Sequence, residues 1–285
     1  MNMGYNRSRW QISDLRQSCP LFKVNTNQGF WQVMRRLKVH YKASRSYIHS
    51  PDLNYEEKFS RIITHLAQMN SDSLVLFIDE LTYYNHPSTA DAYELSGNFQ
   101  AKATRAYGSE KTFRIVGALN PVTGMLTFVQ KSKISVAQFI AFLHLLSQTY
   151  PDKTLFLVMD NWPIHYHPDV LAVLNPQLYQ QDFNIPGSWK NLKPKQKYLK
   201  MNKLNIQFLP LPTYASWLNP IEKVWKWLKK DIIHNHSLAN EWILLKELVY
   251  EFLQNFSEES PILLAFTGLN NPKSIYGKAL HFNSG

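Results

Sequence analysis

The sequence predicts an α/β fold in which helices cover both faces of a mixed β-sheet, preceded by a small all-helical segment. Two apolar runs, 74–78 and 155–159, have the length and composition of buried strands. A turn signal at 120–124 joins two further strand candidates into a hairpin, and beyond residue 135 helix candidates alternate with strands. A hairpin combined with this alternation indicates antiparallel and parallel strand pairs within one sheet.

The first fifty residues predict two short helices. One candidate covers 9–19, and the other runs from the cap residues 25–27 to Leu37, with Arg35 and Arg36 opposite its apolar side. Two short helices joined by a turn, the second of them basic, are typical of a helix-turn-helix that binds DNA. A helical hairpin with a solvated basic face fits the pattern equally well. We treat 1–50 as a partial DNA-binding module.

The remaining chain divides into a linker, an α/β domain and a tail. We predict a linker at 51–73 with a helix at 55–69, the α/β domain at 74–256 and a C-terminal tail at 257–285. Within the domain, the Pro-, Lys- and Gln-rich residues 175–204 predict an insertion loop. The strand candidates are 74–79, 113–119, 125–129, 154–159 and 205–209, and the helix candidates are 135–149, 167–174, 216–233 and 239–255.

The charge of the chain favours a polyanionic partner. The 285 residues carry 31 Lys and Arg against 21 Asp and Glu, a formal charge of +10. Basic residues are concentrated in 1–50, where Asp14 is the single acid, and in 190–203, which has no acid. The residues that we predict to contact DNA are Arg35, Arg36, Lys38, Lys190, Lys193, Lys195, Lys197, Lys200 and Lys203.

Several protein classes are excluded by absent patterns. Cys19 is the single cysteine, so a disulfide framework and a cysteine-based zinc site within one chain are both excluded. Neither a signal peptide nor a run long enough to span a bilayer is seen, and we expect a reducing, cytoplasmic setting without a membrane partner. The phosphate loop of an ATPase and the nucleophile elbow of a hydrolase are also absent, and no small-molecule substrate is expected.

Three acids occupy positions that suit metal-dependent phosphodiester chemistry. Asp79 and Asp160 directly follow the two apolar runs, and Glu222 begins an amphipathic helix. Each alone has an ordinary explanation, because a strand-end acid is often a cap and a first-turn acid is favoured by the helix dipole. Likewise, Asn161 is a candidate cap for the next helix and His165 a candidate polar surface residue. The combination of three such acids with two basic stretches favours an enzyme that acts on nucleic acid.

Carboxylate ligands of this kind suit magnesium. Mg²⁺ prefers hard oxygen ligands, and two ions about 3.5–4 Å apart activate the attacking oxygen and stabilise the leaving oxygen of a phosphodiester. We expect Asp79 to bridge two Mg²⁺ ions, Asp160 to complete one site and Glu222 the other, with Mn²⁺ as a substitute metal. Four tryptophans near this region have a spacing that is more typical of core than of base stacking, namely Trp217, Trp225, Trp227 and Trp242.

Four motifs resemble those of the DDE transposases of bacterial insertion sequences in the mariner superfamily. They are Phe77-Ile78-Asp79-Glu80, the turn-containing Gly117–Gly124, Val158-Met159-Asp160-Asn161-Trp162-Pro163-Ile164-His165, and the long string Leu209–Trp225 with Asn219-Pro220-Ile221-Glu222. The last is the most specific, and the likeness covers about residues 9–270.

The resemblance implies a ribonuclease H-like catalytic fold and a Mg²⁺-dependent cut-and-paste reaction. Water cleaves double-stranded DNA at the element ends, and the freed 3′-hydroxyl then attacks target DNA. The resemblance also implies a homodimer on DNA, associated with the bacterial nucleoid. Asp79, Asp160 and Glu222 match the three metal-binding acids of the family. The residues expected beside them are Glu80, Asn161, His165 and Asn219.

Two departures from the family pattern leave alternatives open. The interval from Asp160 to Glu222 is roughly twice the usual length, with the surplus in the 175–204 loop. Family members carry two helix-turn-helix units, and only the second is found here, as expected for a truncated copy or the downstream product of a split reading frame. One alternative is therefore a catalytically idle DNA-binding remnant or repressor of its own element. Another is a ribonuclease H-type nuclease that acts on RNA hybrids.

Overall fold

The computed structural model describes residues 11–40, 50–93, 102–176, 187–189 and 191–281. The chain divides into two compact units, Met1–Ile48 and His49–Gly285. The predicted module 1–50 and insertion 175–204 each lie partly outside the described residues.

The first unit contains the predicted helix pair. Helix α1 spans Ile12–Ser18, a 3₁₀ turn follows at Pro20–Phe22, and α2 spans Asn27–Arg36. Helix α2 begins where the Thr26 hydroxyl accepts a hydrogen bond of 3.1 Å from the Gly29 N–H, as expected for an N-cap threonine. The prediction of two short helices is thus confirmed, and DNA binding by this helix pair stays a prediction.

The second unit is built on a five-stranded mixed sheet with the order β3-β2-β1-β4-β5. Strands β3, β2 and β1 pair antiparallel, and β1, β4 and β5 pair parallel. The strands are β1 (Ser73–Tyr84), β2 (Thr112–Leu119), β3 (Leu126–Lys131), β4 (Thr154–Met159) and β5 (Ile206–Pro210).

The hairpin between β2 and β3 is confirmed. Asn120 closes its turn, because its side-chain oxygen accepts from the Val122 and Thr123 N–H groups at 2.9 and 3.3 Å. Gly124 has φ = +73°, and an added Cβ there would lie 2.3 Å from the Ser260 carbonyl oxygen. Glycine is therefore required at the end of this turn.

Helices cover both faces of the sheet. The apolar side chains of β1 alternate between two cores, with Val75 and Phe77 in one and Leu76 and Ile78 in the other. The first core includes residues of α3 (Tyr55–Ala67), α7 (Ile221–Leu228), α8 (Trp242–Gln254), α9 (Pro261–Thr267) and α10 (Gly277–His281). The second includes residues of α4 (Val136–Thr149), α5 (Pro168–Leu171) and α6 (Gln196–Leu199).

The ranges predicted as linker and tail both contribute to the first core. Ile62 and Leu66 of α3 are buried in it, as are Leu263 of α9 and Tyr276 and Ala279 near the C-terminal end. Burial of these side chains ties both ranges to the α/β unit. Within the described residues, the helices are too short or too polar to cross a bilayer.

Candidate active site

Asp79 lies in the middle of β1 and not at its end. The sequence predicted a strand that closes at Asp79, but β1 continues to Tyr84 because Asp79–Tyr84 pair with Gly117–Thr112 of β2. On the other side, the pairing of β1 with β4 ends at Phe77 and Val158. Asp79 is therefore held by a rigid strand while one flank of that strand is open.

Asp160 is adjacent to Asp79 across this open flank. Phe77 pairs with Val158, so the same register carried two residues further places Asp79 beside Asp160. Neighbouring strands lie about 4.8 Å apart. Asp160 lies just beyond the last residue of β4, and its Oδ1 is 3.5 Å from Nδ1 of His165. The Asp160 side chain is 53 % exposed, and its Oδ1 accepts a hydrogen bond of 2.9 Å from the Trp162 N–H.

Glu222 lies in the first turn of α7, on the same side of the sheet as Asp79. Asn219 fixes the start of this helix, because its side-chain Nδ2 donates a hydrogen bond of 2.8 Å to the carbonyl oxygen of Ile78, the residue before Asp79. Asn219 is 3 % exposed. The polypeptide that carries Glu222 is thus attached to the backbone that carries Asp79.

The three acids interact electrostatically. Burial raises the pKa of Asp79 to about 8, assisted by the negative charges of Glu222, Glu80 and Asp160. Burial also raises the pKa of Glu222, which Lys229 counteracts and Asp160 reinforces. A negative charge raises the pKa of a carboxyl only when it lies near that carboxyl and is not neutralised by a nearby positive charge. The three acids that the sequence selected therefore lie within electrostatic range of one another.

His165 and Glu80 form a second polar group on the other side of β1. Glu80 follows Asp79 along the strand and points to the opposite face. Its Oε1 is 3.0 Å from Nε2 of His165, and the other ring nitrogen of His165 lies 3.2 Å from the Asp160 carbonyl oxygen. Burial opposes the charged form of His165, but the carboxylates of Glu80 and Asp160 outweigh it and raise its pKa.

Two local expectations are wrong. His165 is not a polar surface residue: it is fully buried and packs against the ring of Phe139 at 4.8 Å between centroids. Asn161 is not a helix cap, because Trp162 holds the N-cap position of the following 3₁₀ turn. The Oδ1 of Asn161 accepts from the Tyr166 hydroxyl at 3.4 Å, and its Nδ2 donates to the carbonyl oxygen of Leu211 at 3.2 Å. Asp160 accepts from the Trp162 N–H two residues further on, in a local turn before the 3₁₀ turn Pro163–Tyr166.

One contact at the site has no counterpart among the sequence predictions. The indole Nε1–H of Trp225 donates a hydrogen bond of 2.9 Å to Oδ2 of Asp79. The sequence indicates that Trp225 belongs to the core, and it is indeed 1 % exposed. The spacing of Trp225 could have predicted this contact, because Trp225 follows Glu222 by three positions and residues three apart share a helix face.

The donor set fits a divalent cation. Asp79, Asp160 and Glu222 supply carboxylate oxygens, which are the ligands that Mg²⁺ and Mn²⁺ prefer. Among the described residues, the three side chains whose ligand atoms all lie within 4.8 Å of one another are Glu80, Asp160 and His165, so Asp160 borders a second group of possible ligands. Oδ1 of Asn219 is buried and has no hydrogen-bond partner within the described part of the chain. A cation would relieve the mutual repulsion of the acids.

The residues predicted to contact DNA are mostly exposed, although some have partners within the protein. Arg35, Arg36 and Lys38 are exposed at the end of α2 and just beyond it. Lys203 donates to the carbonyl oxygen of Ala172, and Nζ of Lys195 lies 3.7 Å from Asp169. Lys193, Lys197 and Lys200 are also exposed, and Lys190 lies outside the described residues.

Comparisons with known proteins agree with this geometry. A family model described as "DDE superfamily endonuclease" matches residues 74–242, which contain all three acids. A protein of Shigella sonnei, named "Insertion element IS630 uncharacterized 39 kDa protein", is 26% identical over 264 residues, covering 90% of this chain and 67% of that protein.

Solved structures show the same fold. The Mos1 transposase paired-end complex with left transposon end matches with a TM-score of 0.59 and 13% identity, covering 98% of this chain and 80% of that one. The Mos1 mariner paired-end complex with Mn matches with a TM-score of 0.58 and 12% identity, covering 98% and 81%. The ribonuclease H-like prediction is thus confirmed. This chain belongs to the DDE superfamily endonucleases.

Proposed function

We propose that this transposase cleaves DNA at the ends of its element and transfers the freed strands into target DNA, using two Mg²⁺ ions held by Asp79, Asp160 and Glu222. Mn²⁺ would substitute for Mg²⁺. The observation that carries the proposal is the position of Asp79 on the open flank of β1, where burial and the charges of Glu222 and Asp160 raise its pKa. Such mutual repulsion is expected of a site arranged for cations.

Each acid is held by a different part of the fold. Asp79 is fixed by the paired strands and by the indole of Trp225, and Asp160 by its bond to the Trp162 N–H. Glu222 is placed by α7, whose start is attached to β1 through Asn219. The bound ions would supply Lewis-acid activation of the attacking oxygen and charge stabilisation of the leaving oxygen. The protein contributes a fixed geometry of oxygen ligands.

DNA binding would involve basic residues of both units. We propose that Arg35, Arg36 and Lys38 of the 1–50 module and the lysines of the 190–203 stretch contact phosphates. We further propose that the enzyme acts as a homodimer on paired ends. Support comes from the Mos1 structures, which are described as paired-end complexes, one with Mn and one with Mg.

The catalytic assignment is tested by Asp160→Asn. The substitution keeps the oxygen that accepts from Trp162 and removes the charge, so the fold should persist. With Mg²⁺ and a labelled duplex that carries the terminal repeats of the element, we expect cleavage to fall at least about 100-fold. Asp72→Asn removes an exposed acid before β1 and should cleave like the wild type. Equal cleavage by wild type and Asp160→Asn would refute the assignment.

Product analysis separates the proposal from its alternatives. A transposase should leave 3′-hydroxyl ends that become joined to a second duplex. A catalytically idle DNA-binding remnant would bind the ends without cleaving them. A ribonuclease H-type nuclease would cut RNA–DNA hybrids without joining, and that outcome would replace the proposed strand transfer.

A further inference from the structure

Asp79 requires a hydrogen-bond donor more than the other acids do. It lies within β1, largely removed from water, and it faces the like charges of Glu222 and Asp160. A buried carboxylate is stable only when donors or cations compensate its charge. The indole N–H of Trp225 is such a donor, at 2.9 Å from Oδ2.

The opposite strand makes room for this indole. Gly117 pairs with Asp79 across β1 and β2. A Cβ added at Gly117 would lie 2.8 Å from Cη2 and 3.2 Å from Cζ2 of Trp225. A glycine inside a strand often marks the close approach of another group. Any larger residue at 117 would displace the ring that donates to Asp79.

Helix α7 supplies both the donor and a carboxylate. Glu222 and Trp225 are three residues apart, so both lie on the face of α7 that is directed at β1. The Trp225–Asp79 bond and the bond from Asn219 to the Ile78 carbonyl oxygen therefore join this helix to the strand at two successive residues.

We propose that Trp225 is a positioning residue whose indole N–H orients Asp79 and sets the separation between Asp79 and Glu222 for a shared divalent cation. Trp225 does not touch the cation itself. The inference rests on the proposed function, because it assumes that Asp79 and Glu222 are ligands. A partner that orients a ligand typically contributes 10–100-fold to metal affinity.

Trp227 provides a matched control in the same helix. Its indole N–H also donates to an aspartate, at 2.7 Å from Oδ2 of Asp231, and its ring packs against Phe266. The Asp231 side chain belongs to an exposed contact outside the acid cluster. Trp225→Phe and Trp227→Phe therefore remove the same kind of donor, and only the first acts on Asp79.

The experiment measures Mn²⁺ binding to the full chain without DNA, from the loss of the free-ion paramagnetic resonance signal. Trp225→Phe should weaken binding about 10-fold or more, whereas Trp227→Phe should stay within about twofold of wild type. Gly117→Ala should weaken binding as well, and it should add little to Trp225→Phe because both disturb one contact. Circular dichroism confirms that each variant is folded.

A second measurement, by nuclear magnetic resonance, tests the inference without Trp225→Phe, in case that variant does not fold. The indole N–H resonance of Trp225 should shift when Mg²⁺ is added to the wild-type protein, and it should also differ between the wild type and Asp79→Asn. The indole N–H resonance of Trp227 should not change in either comparison. If the wild type binds Mn²⁺ and folded Trp225→Phe binds equally well, the inference is wrong and the metal site stands. If the wild type and Asp79→Asn both fail to bind Mn²⁺, the proposed metal site itself is wrong.

Discussion

Consecutive residues of β1 have different partners because they point to opposite faces of the sheet. Asp79 faces α7 and its indole, and Glu80 faces the buried ring of His165. His165 bonds with Glu80 through Nε2 and with the Asp160 carbonyl oxygen through the other nitrogen. His165 therefore links the strand that carries Asp79 to the residue that directly follows β4.

The contribution of this link is tested by His165→Phe. Phenylalanine keeps the ring that packs against Phe139 and removes both hydrogen bonds, so the Glu80 carboxylate loses its partner. We expect the free energy of unfolding to fall by about 2–4 kcal/mol, as for a broken buried pair. Urea unfolding of the metal-free protein provides the measurement. A change below about 0.5 kcal/mol, the range of an ordinary surface substitution, would contradict this role.

A double variant serves as the control. Adding Glu80→Met to His165→Phe removes the unpaired carboxylate, so most of the lost stability should return. The amount by which the two changes in the free energy of unfolding fail to add gives the interaction energy of the Glu80–His165 pair, separate from the packing of the ring.

For individual residues, the sequence predicts which acids lie at the site better than it predicts the contacts that hold them. Asp79 and Asp160 were identified because a carboxylate that directly follows a buried run has to lie at an opening of the sheet. The burial of His165 was missed because its neighbours Pro163 and Tyr166 give no periodic pattern. The bond from Trp225 was missed because it depends on the register that places Gly117 opposite Asp79.

At the scale of elements, the boundaries were set by tertiary pairing. The prediction ended β1 at its first charge, whereas β2 continues the pairing to Tyr84. A single helix was predicted over 216–233, but Pro220 disfavours helical backbone at Asn219. The segment divides into a 3₁₀ turn at Ser216–Leu218, α7 and a π-helical end at Lys229–Ile233. Strand β4 matched its predicted bounds, 154–159.

Asp52 attaches the start of α3 to the loop that follows β5. Its Oδ2 accepts hydrogen bonds of 2.7 Å from both the Thr213 N–H and the Lys58 ammonium group. The Ser50 hydroxyl donates back to the Thr213 carbonyl oxygen at 2.6 Å. Because this loop leads to α7, the attachment supports the element that carries Glu222.

The pH dependence of stability tests this attachment. Burial opposes the charged form of Asp52, but its bonds with Lys58, Thr213 and Asn54 lower its pKa from 3.8 to about 2. A carboxyl whose pKa is lower in the folded protein than in the unfolded chain stabilises the fold at pH values above its unfolded pKa. For Asp52, this stabilisation is lost as the pH falls from about 4 to about 2. Asp52→Asn should therefore reduce the free energy of unfolding at pH 7 by about 1–3 kcal/mol, and by less near pH 3.

Urea unfolding across pH provides that measurement, with Glu57→Gln as its control. Glu57 is an exposed acid in the first turn of α3, so its replacement should have a small effect at every pH. If the difference in the free energy of unfolding between wild type and Asp52→Asn were the same at pH 7 and pH 3, the charge of Asp52 would not be the source of the stabilisation.

At the scale of the whole molecule, the chain joins a strongly basic first unit to a catalytic unit with a basic stretch of its own. This distribution was predictable from composition, because net charge needs no knowledge of the fold. The part played by each lysine was not predictable. Lys195 and Lys203 have polar partners in the protein, and Nζ of Lys197 lies 4.6 Å from the centroid of the Tyr198 ring. Lys193, Lys197 and Lys200 are all exposed.

The salt dependence of DNA binding tests this distinction. Each phosphate contact contributes about 0.9 to the slope of log affinity against log salt concentration. The triple variant Lys193→Ala, Lys197→Ala, Lys200→Ala should therefore lower that slope by about 2–3 on a duplex of random sequence. A control variant removes the same total charge from exposed lysines elsewhere, namely Lys131, Lys273 and Lys278. Since long-range attraction alone would affect both variants equally, equal slopes would show that the 190–203 stretch makes no phosphate contacts.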